Sequence, residues 1–256
     1  MSLTASDKDL YWEQGYLILR GLFVPQVLRD FEERFLEFAR GTAPPSRNMV
    51  LMQDVMVARG AVAAADPVER LNKLLSFEAD DRLFTYALFP PLLEAVRSLL
   101  GPELQTLSSN VFNKPPGVDG RHPMHQDLRY FSLRPADGML GTWTAISPAS
   151  RANGCLSVIP KSHREGFLEH AAPDWEFVNK GFVGVLGAPL ERRIHVELEP
   201  GDTVLFHPLL IHGSGRNRSS NFRRAISVHY ASRACERPEG KRKRAPVIAA
   251  IPDEPA

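Results

Sequence analysis

Cysteine is nearly absent from this chain. Only Cys155 and Cys235 occur in 256 residues, far apart and outside any paired spacing. That excludes a disulfide framework, a cysteine zinc site and a Cys-x-x-Cys redox motif, and it fits a reducing, intracellular compartment. Long apolar runs are missing too: none approaches the roughly 20 residues needed to span a bilayer. No basic region followed by an apolar stretch opens the chain, and Asp253-Glu254-Pro255-Ala256 is not a peroxisomal address of the Ser-Lys-Leu kind. Charge of one sign is not in excess either. Lys and Arg number 31 against 30 Asp and Glu, a formal +1, so no global field calls for nucleic acid. A soluble, cytoplasmic protein acting on a small molecule is expected. What is present, 43% hydrophobic and 24% charged residues at this length, suffices for one domain with a full core.

Helical signals come first along the chain. Ser6 is placed to cap a short helix to about Gln14, and Tyr16-Leu17-Ile18-Leu19-Arg20 reads as a buried strand. Pro25 then opens a helix whose Val27, Leu28, Phe31, Phe35 and Phe38 recur at helical spacing, a core stripe ended by Gly41 and Pro44-Pro45. Residues 42–66 read as irregular, and 68–100 as helical with a break at Pro90-Pro91. From Leu104 the texture changes to short β-favouring runs separated by turns such as Asn153-Gly154 and Pro200-Gly201-Asp202. The expected fold is mainly β with flanking α-helices. It would be a single domain over 1–232, helical to about 102 and then a double-stranded β-helix, the cupin-like jelly roll, with a cavity between its two sheets. Residues 233–256, with Lys241-Arg242-Lys243-Arg244 and a Pro-containing end, are expected to form a solvated, disordered tail, with a nuclear or polyanion-binding signal as the alternative.

The chemistry concentrates in His125-Gln126-Asp127. On a strand, His125 and Asp127 share a face and Gln126 points away. His-x-Asp alone is more often a surface turn or a satisfied buried contact, but a second imidazole would complete a two-histidine, one-carboxylate triad. That triad occupies one side of an octahedral metal and is the ligand set of non-haem Fe(II) oxygenases. His195, His207, His212 and His229 all lie in the β-rich half. His212 is preferred because it ends Leu209-Leu210-Ile211 and precedes the small-residue turn Gly213-Ser214-Gly215; His207, next to Pro208, is the runner-up. In Phe222-Arg223-Arg224-Ala225-Ile226-Ser227-Val228-His229-Tyr230, alternation puts Arg223 with Ala225, Ser227 and His229, so one of the two arginines faces inward. A buried arginine needs an anion: an internal Asp or Glu on the bland view, the carboxylate of a cosubstrate on the functional one. Together these features point to iron and 2-oxoglutarate.

Four segments carry a resemblance. They are Asn113-Lys114-Pro115-Pro116, Arg121-His122-Pro123-Met124-His125-Gln126-Asp127-Leu128, Arg151-Ala152-Asn153-Gly154-Cys155-Leu156, and the stretch from Gly201-Asp202-Thr203 through His212-Gly213-Ser214-Gly215. In these the chain resembles the phytanoyl-CoA dioxygenase family of Fe(II)/2-oxoglutarate oxygenases, closest to its phytanoyl-CoA hydroxylase branch. The resemblance implies that His125, Asp127 and His212 bind iron and that Arg223 pairs with the distal carboxylate of 2-oxoglutarate. It places Ser214, Gln126 and Trp143 in the cosubstrate pocket, with Lys73 matching a helical lysine there and Asn110 replacing a methionine. It implies O2 as second cosubstrate, ascorbate as a reductant, and an acyl-CoA hydroxylated beside its thioester carbonyl. The presence of Asp127 argues for hydroxylation rather than halogenation. Two other readings stand beside it: a 2-oxoglutarate-dependent hydroxylase of a small natural product or osmolyte, and a non-catalytic jelly-roll binding protein. The glycine-rich stretch 166–189 is expected to act as a lid.

Overall fold

The computed structural model describes residues 2–179, 181–238 and 251. Among the described residues there are six α-helices: α1 (Ala5–Gln14), α2 (Pro25–Arg40), α3 (Val55–Ala58), α4 (Pro67–Arg70), α5 (Asp81–Leu88) and α6 (Pro90–Leu100). The strands are β1 (Tyr16–Leu19), β2 (Val50–Gln53), β3 (Leu71–Leu75), β4 (Leu104–Lys114), β5 (His122–His125), β6 (Met139–Ala145), β7 (Leu156–Val158), β8 (His170–Ala171), β9 (Gly184–Val185), β10 (Ile194–Val196), β11 (Thr203–Phe206), β12 (His212–Ser214) and β13 (Arg223–Ser232). A seven-stranded antiparallel sheet runs β1-β11-β6-β13-β4-β3-β2, a four-stranded one β10-β7-β12-β5, and β8 and β9 form a small ribbon. This is the jelly-roll core with flanking helices.

The helical layer lies on one face of the seven-stranded sheet. Pro25 starts α2 with its φ already suited to a helix, and the stripe Leu28, Phe31, Phe35 and Phe38 is buried. These side chains pack in one cluster with Leu74, Val111, Leu205, Ile226 and Val228 of the sheet. Removing one such phenylalanine, as in Phe35→Ala, would cost about 3–5 kcal/mol. The alternate residues of the same strands, Trp143, Ala145, Val204, Phe206 and Ala225, turn to the other face and pack with Leu156 and Val158 of the four-stranded sheet. The period of two thus divides each long strand between a helix-covered face and the inter-sheet space.

Several expectations need correction. Thr4, not Ser6, caps α1: its hydroxyl accepts from Asp7 N–H while Asp7 returns the bond to Thr4 N–H. Within 42–66 the chain forms β2 and α3, and within the stretch expected to be helical it forms β3. The Val68, Leu71, Leu74 spacing mimics a helix, but pairing of Lys73 with Phe112 and Leu74 with Val111 on β4 overrides it. Asn113 fixes the entry to β3, its amide donating to Val68 O and Leu71 O. The solvated tail does not begin at 233. Arg233 N–H bonds to Glu103 O, Glu236 bridges Arg134, and Cys235 is buried beside Leu107, Leu133 and Met139. Ile251 is buried, whereas Lys241-Arg242-Lys243-Arg244 lies outside the described residues. No single described helix is long and apolar enough to cross a membrane.

Candidate metal centre

β5 and β12 are antiparallel neighbours in which His125 stands directly opposite His212. Their close approach needs Gly213, because a Cβ there would lie 2.7 Å from His122 O and 2.9 Å from Pro123 O. The two imidazoles are oriented alike. His125 Nδ1 donates to Pro123 O at 2.8 Å and His212 Nδ1 to Leu210 O at 3.0 Å, each to a carbonyl two residues earlier. That tautomer leaves both Nε2 atoms as acceptors, the state a metal ligand requires. β5 ends at His125, and Asp127 opens a short 3-10 turn (Asp127–Arg129) rather than continuing the strand through Tyr130 and Phe131 as its composition suggests. Asp127 Oδ1 comes within 3.0 Å of His125 Nε2 and 3.6 Å of His212 Nε2. One ligand atom from each of the three buried residues lies within 4.8 Å of the others, a geometry able to hold one metal ion.

His229 completes the cluster. Its Nε2 lies 2.6 Å from the other carboxylate oxygen, Asp127 Oδ2, and its Nδ1 lies 2.8 Å from Ser108 Oγ, the residue opposite it on β4. The arrangement is consistent with Ser108 donating to Nδ1 and His229 donating to Asp127, which keeps Oδ1 turned toward the ligand histidines. Burial alone would raise the Asp127 carboxyl, but the His212 and His229 imidazoles and the hydrogen bond from His229 hold it well below the usual range. Burial likewise pushes His212 down to about 4 and His122 well below its ordinary value.

Facing this cluster, across a cavity of about 370 Å³, stands the seven-stranded sheet. Arg223, 2% exposed, projects from β13 beside Trp143, whose ring centre is 5.3 Å from the guanidinium carbon. Its Nε and one terminal nitrogen are buried with no hydrogen-bond partner, and burial pushes the group down to about 10. Arg224 points the opposite way, to Glu32 and Asn113 on the helical side. Among the described residues, no Asp or Glu therefore serves as an internal partner of Arg223. Lys114, opposite Arg223 in the β4–β13 register, donates to Ser214 Oγ at 2.8 Å and to Gly215 O. Lys73, on β3 rather than a helix, lies over Phe112 and is pushed down to about 8 by burial. Among the described residues, three basic side chains, Lys73, Lys114 and Arg223, line the cavity with the carboxylate of Asp127. An anion with carboxylates at both ends suits such a lining, one end at the metal and the other at an unpartnered guanidinium.

Of the residues singled out in the sequence, His125, Asp127, His212, Arg223, Trp143, Ser214, Lys73 and Asn110 all line this cavity. Gln126 does not. Its side chain turns away, as alternation requires, and bonds Gly166 O, Leu209 O and Leu168 N–H at 2.8 Å each. It holds the stretch after Gly166 against the metal strand instead of lining the cosubstrate pocket. His207 sits apart, bonded to Asp137, and His195 is bonded to Ser157. Within 166–189, Gly181 and Phe182 reach the cavity wall, the Phe182 ring centred 4.0 Å from that of His122. The motifs did not single out Lys114 or His229 for roles here. For His229 the signal was present, since it shares a face with Arg223; the placement of Lys114 depends on pairing between strands 109 residues apart in sequence (positions 114 and 223).

Comparison with known proteins follows the same lines. Residues 11–225 match the family model described as Phytanoyl-CoA dioxygenase (PhyH). The chain is 41% identical over 238 residues to a probable phytanoyl-CoA dioxygenase of Caenorhabditis elegans, covering 90% of this chain and 76% of the relative. It is 39% identical over 239 residues to the peroxisomal phytanoyl-CoA dioxygenase of Mus musculus, covering 91% and 70%. The crystal structure of EvdO2 from Micromonospora carbonacea var. aurantiaca complexed with 2-oxoglutarate superposes with a TM-score of 0.70 at 18% identity, over 94% of this chain and 96% of that one. At that identity the likeness is one of fold.

Proposed function

The chain belongs to the phytanoyl-CoA dioxygenase family and is an Fe(II)/2-oxoglutarate-dependent dioxygenase, and on that premise we propose that it hydroxylates an acyl-CoA such as phytanoyl-CoA at the carbon beside the thioester carbonyl. The oxidation rests on the buried His125, Asp127 and His212 cluster facing an unpartnered Arg223 guanidinium across one cavity, and the acyl-CoA on the likeness to phytanoyl-CoA dioxygenases. Bound iron, with 2-oxoglutarate and O2, supplies the oxidising chemistry that converts C–H to C–OH, the cosubstrate leaving as succinate and CO2.

Each protein group has a distinct task. His125 and His212 present Nε2 because backbone carbonyls occupy their Nδ1 protons, and His229 holds the Asp127 carboxylate so that one oxygen faces them. Arg223 takes the far carboxylate of 2-oxoglutarate through its unpartnered guanidinium, with Trp143 limiting the space around it. Lys114 anchors Ser214 at the same end, and Lys73 adds charge of the same sign. Met52, Leu75, Phe112, Phe131 and Phe182 form an apolar wall that excludes water and positions a hydrocarbon chain. The test is succinate release by the Fe(II)-loaded protein across phytanoyl-CoA, straight-chain acyl-CoAs, free acids and small metabolites, with mass spectrometry of each product. An acyl-CoA gaining one oxygen is expected. Turnover confined to a substrate without CoA would remove the acyl-CoA assignment and leave the dioxygenase.

A further inference from the structure

A second cleft, of about 540 Å³, adjoins the metal cavity. Three chain segments line both spaces. Gly120 and His122 face the metal cavity while Val118, Asp119 and Arg121 face the cleft; Gly213 and Ser214 face the one while Arg216 and Arg218 face the other; Gly181 and Phe182 line the first and Trp175 and Phe177 the second. Neighbouring residues of the same three segments thus face the two spaces.

The cleft is built around guanidinium groups. Buried Asp119 accepts from Arg121 Nε at 2.6 Å and a terminal nitrogen at 2.7 Å, and lies 3.1 Å from Arg216 Nε. One carboxylate thus braces two arginines and neutralises only one charge, leaving terminal N–H groups of both for an anion. Arg121 also stacks on Trp175 at 4.3 Å, which fixes the plane of its fork. Arg218 is exposed at the rim, and Glu176, the other lining carboxylate, is exposed as well. The Trp175 indole N–H is buried with no hydrogen-bond partner among the described residues.

We propose that this arginine cleft is the seat of the phosphate-bearing end of a CoA thioester, with Arg121, Arg216 and Arg218 taking its phosphates while the acyl end reaches the metal cavity. The inference rests on the acyl-CoA reading above and adds where that substrate is held. It accounts for a feature the oxidation itself leaves unused, a fixed guanidinium pair beside the mouth of a cavity whose own cations face 2-oxoglutarate. Planar guanidinium pairs suit phosphate oxygens.

The test uses the full chain. Calorimetry with adenosine 3′,5′-bisphosphate, which carries the nucleotide end of CoA without the thioester, should show binding that weakens roughly tenfold or more in an Arg216→Ala, Arg218→Glu double variant. In turnover by the Fe(II)-loaded protein, the preference for an acyl-CoA over the matching acyl-pantetheine should fall by a similar factor, through KM rather than kcat. Arg218 is exposed and Asp119 keeps Arg121 as partner, so the fold is expected to tolerate both changes; unaltered binding of 2-oxoglutarate by the metal-loaded variant checks that. Bisphosphate binding and acyl-CoA preference both unchanged in the variant would overturn the inference, as would inorganic phosphate binding as tightly as the bisphosphate, which would mark a general anion site. Bisphosphate binding lost in the variant, with no acyl-CoA turned over by the wild type, would support the phosphate seat and remove the acyl-CoA function instead.

Discussion

The seven-stranded sheet meets the cavity with long strands, β4 of 11 residues and β13 of 10, whereas the four-stranded sheet meets it with β5 of 4 and β12 of 3. The first carries the cations and aromatics: Arg223, Lys114, Lys73, Trp143 and Phe112. The second carries both metal-ligand histidines, with Asp127 just beyond the end of β5. On the long strands, extended ladder pairing and alternation decide which side chains face inward, so orientation is a property of the whole sheet. On the short strands, single contacts decide it: a carbonyl two residues back for each histidine and His229 for the carboxylate. Substitutions on the two sides should therefore fail differently, the metal side through assembly of the site and the cation side through affinity for the cosubstrate.

Asp127→Ala should have the largest effect. It removes the only carboxylate of the cluster, and 2-oxoglutarate consumption is expected to vanish together with tight Fe(II) binding; an active variant would exclude Asp127 from the metal. On the opposite sheet, Arg223→Met should raise the KM for 2-oxoglutarate roughly a hundredfold, the worth of two charge-assisted hydrogen bonds. The same change should leave the ligand-free protein as stable or more so, because it removes a buried cation that has no partner. A marked loss of ligand-free stability would reveal an internal anion that Arg223 serves. His229→Ala bridges the two regions, since His229 stands on the long β13 and acts on the metal side. It should weaken Fe(II) binding roughly tenfold or more, with little change in the KM for 2-oxoglutarate. Gln126→Ala should act on stability, costing about 1–3 kcal/mol in denaturant melts through the unpaired Gly166, Leu209 and Leu168 groups.

A graded pH effect acts on the metal-free protein. Burial lowers both His212 and His207 from 6.5 to about 4, so the unfolded chain binds more protons than the folded one between those values. The metal-free protein should hold its full stability from these groups above about pH 6.5 and lose it as pH falls toward 4, read as a declining Tm. A Tm independent of pH across that window would show that the two imidazoles are not desolvated.

The division between the sheets also explains what was legible in the sequence. Alternation in 222–230 correctly separated Arg223 from Arg224, because a ten-residue strand has a clear period. His125, Asp127 and His212 were legible as a ligand set, although Asp127 lies in a 3-10 turn and not on the strand that suggested it. Gln126 was placed in the pocket by resemblance against its own alternation, and the alternation held. β3 was hidden because its leucines are spaced as in a helix, and only the edge of β4 converts the segment to a strand. Cys235 looked like part of a tail because nothing local shows the apolar niche it fills.

The two facing sheets are arranged to hold one cation and one dicarboxylate together. Anaerobic addition of Fe(II) and 2-oxoglutarate to the purified chain, followed by visible absorption, tests that arrangement most directly. The wild type should show the weak band of an iron–2-oxoglutarate chelate, abolished in Asp127→Ala and requiring far more 2-oxoglutarate in Arg223→Met. No band in the wild type, or an undiminished one in Asp127→Ala, would contradict it.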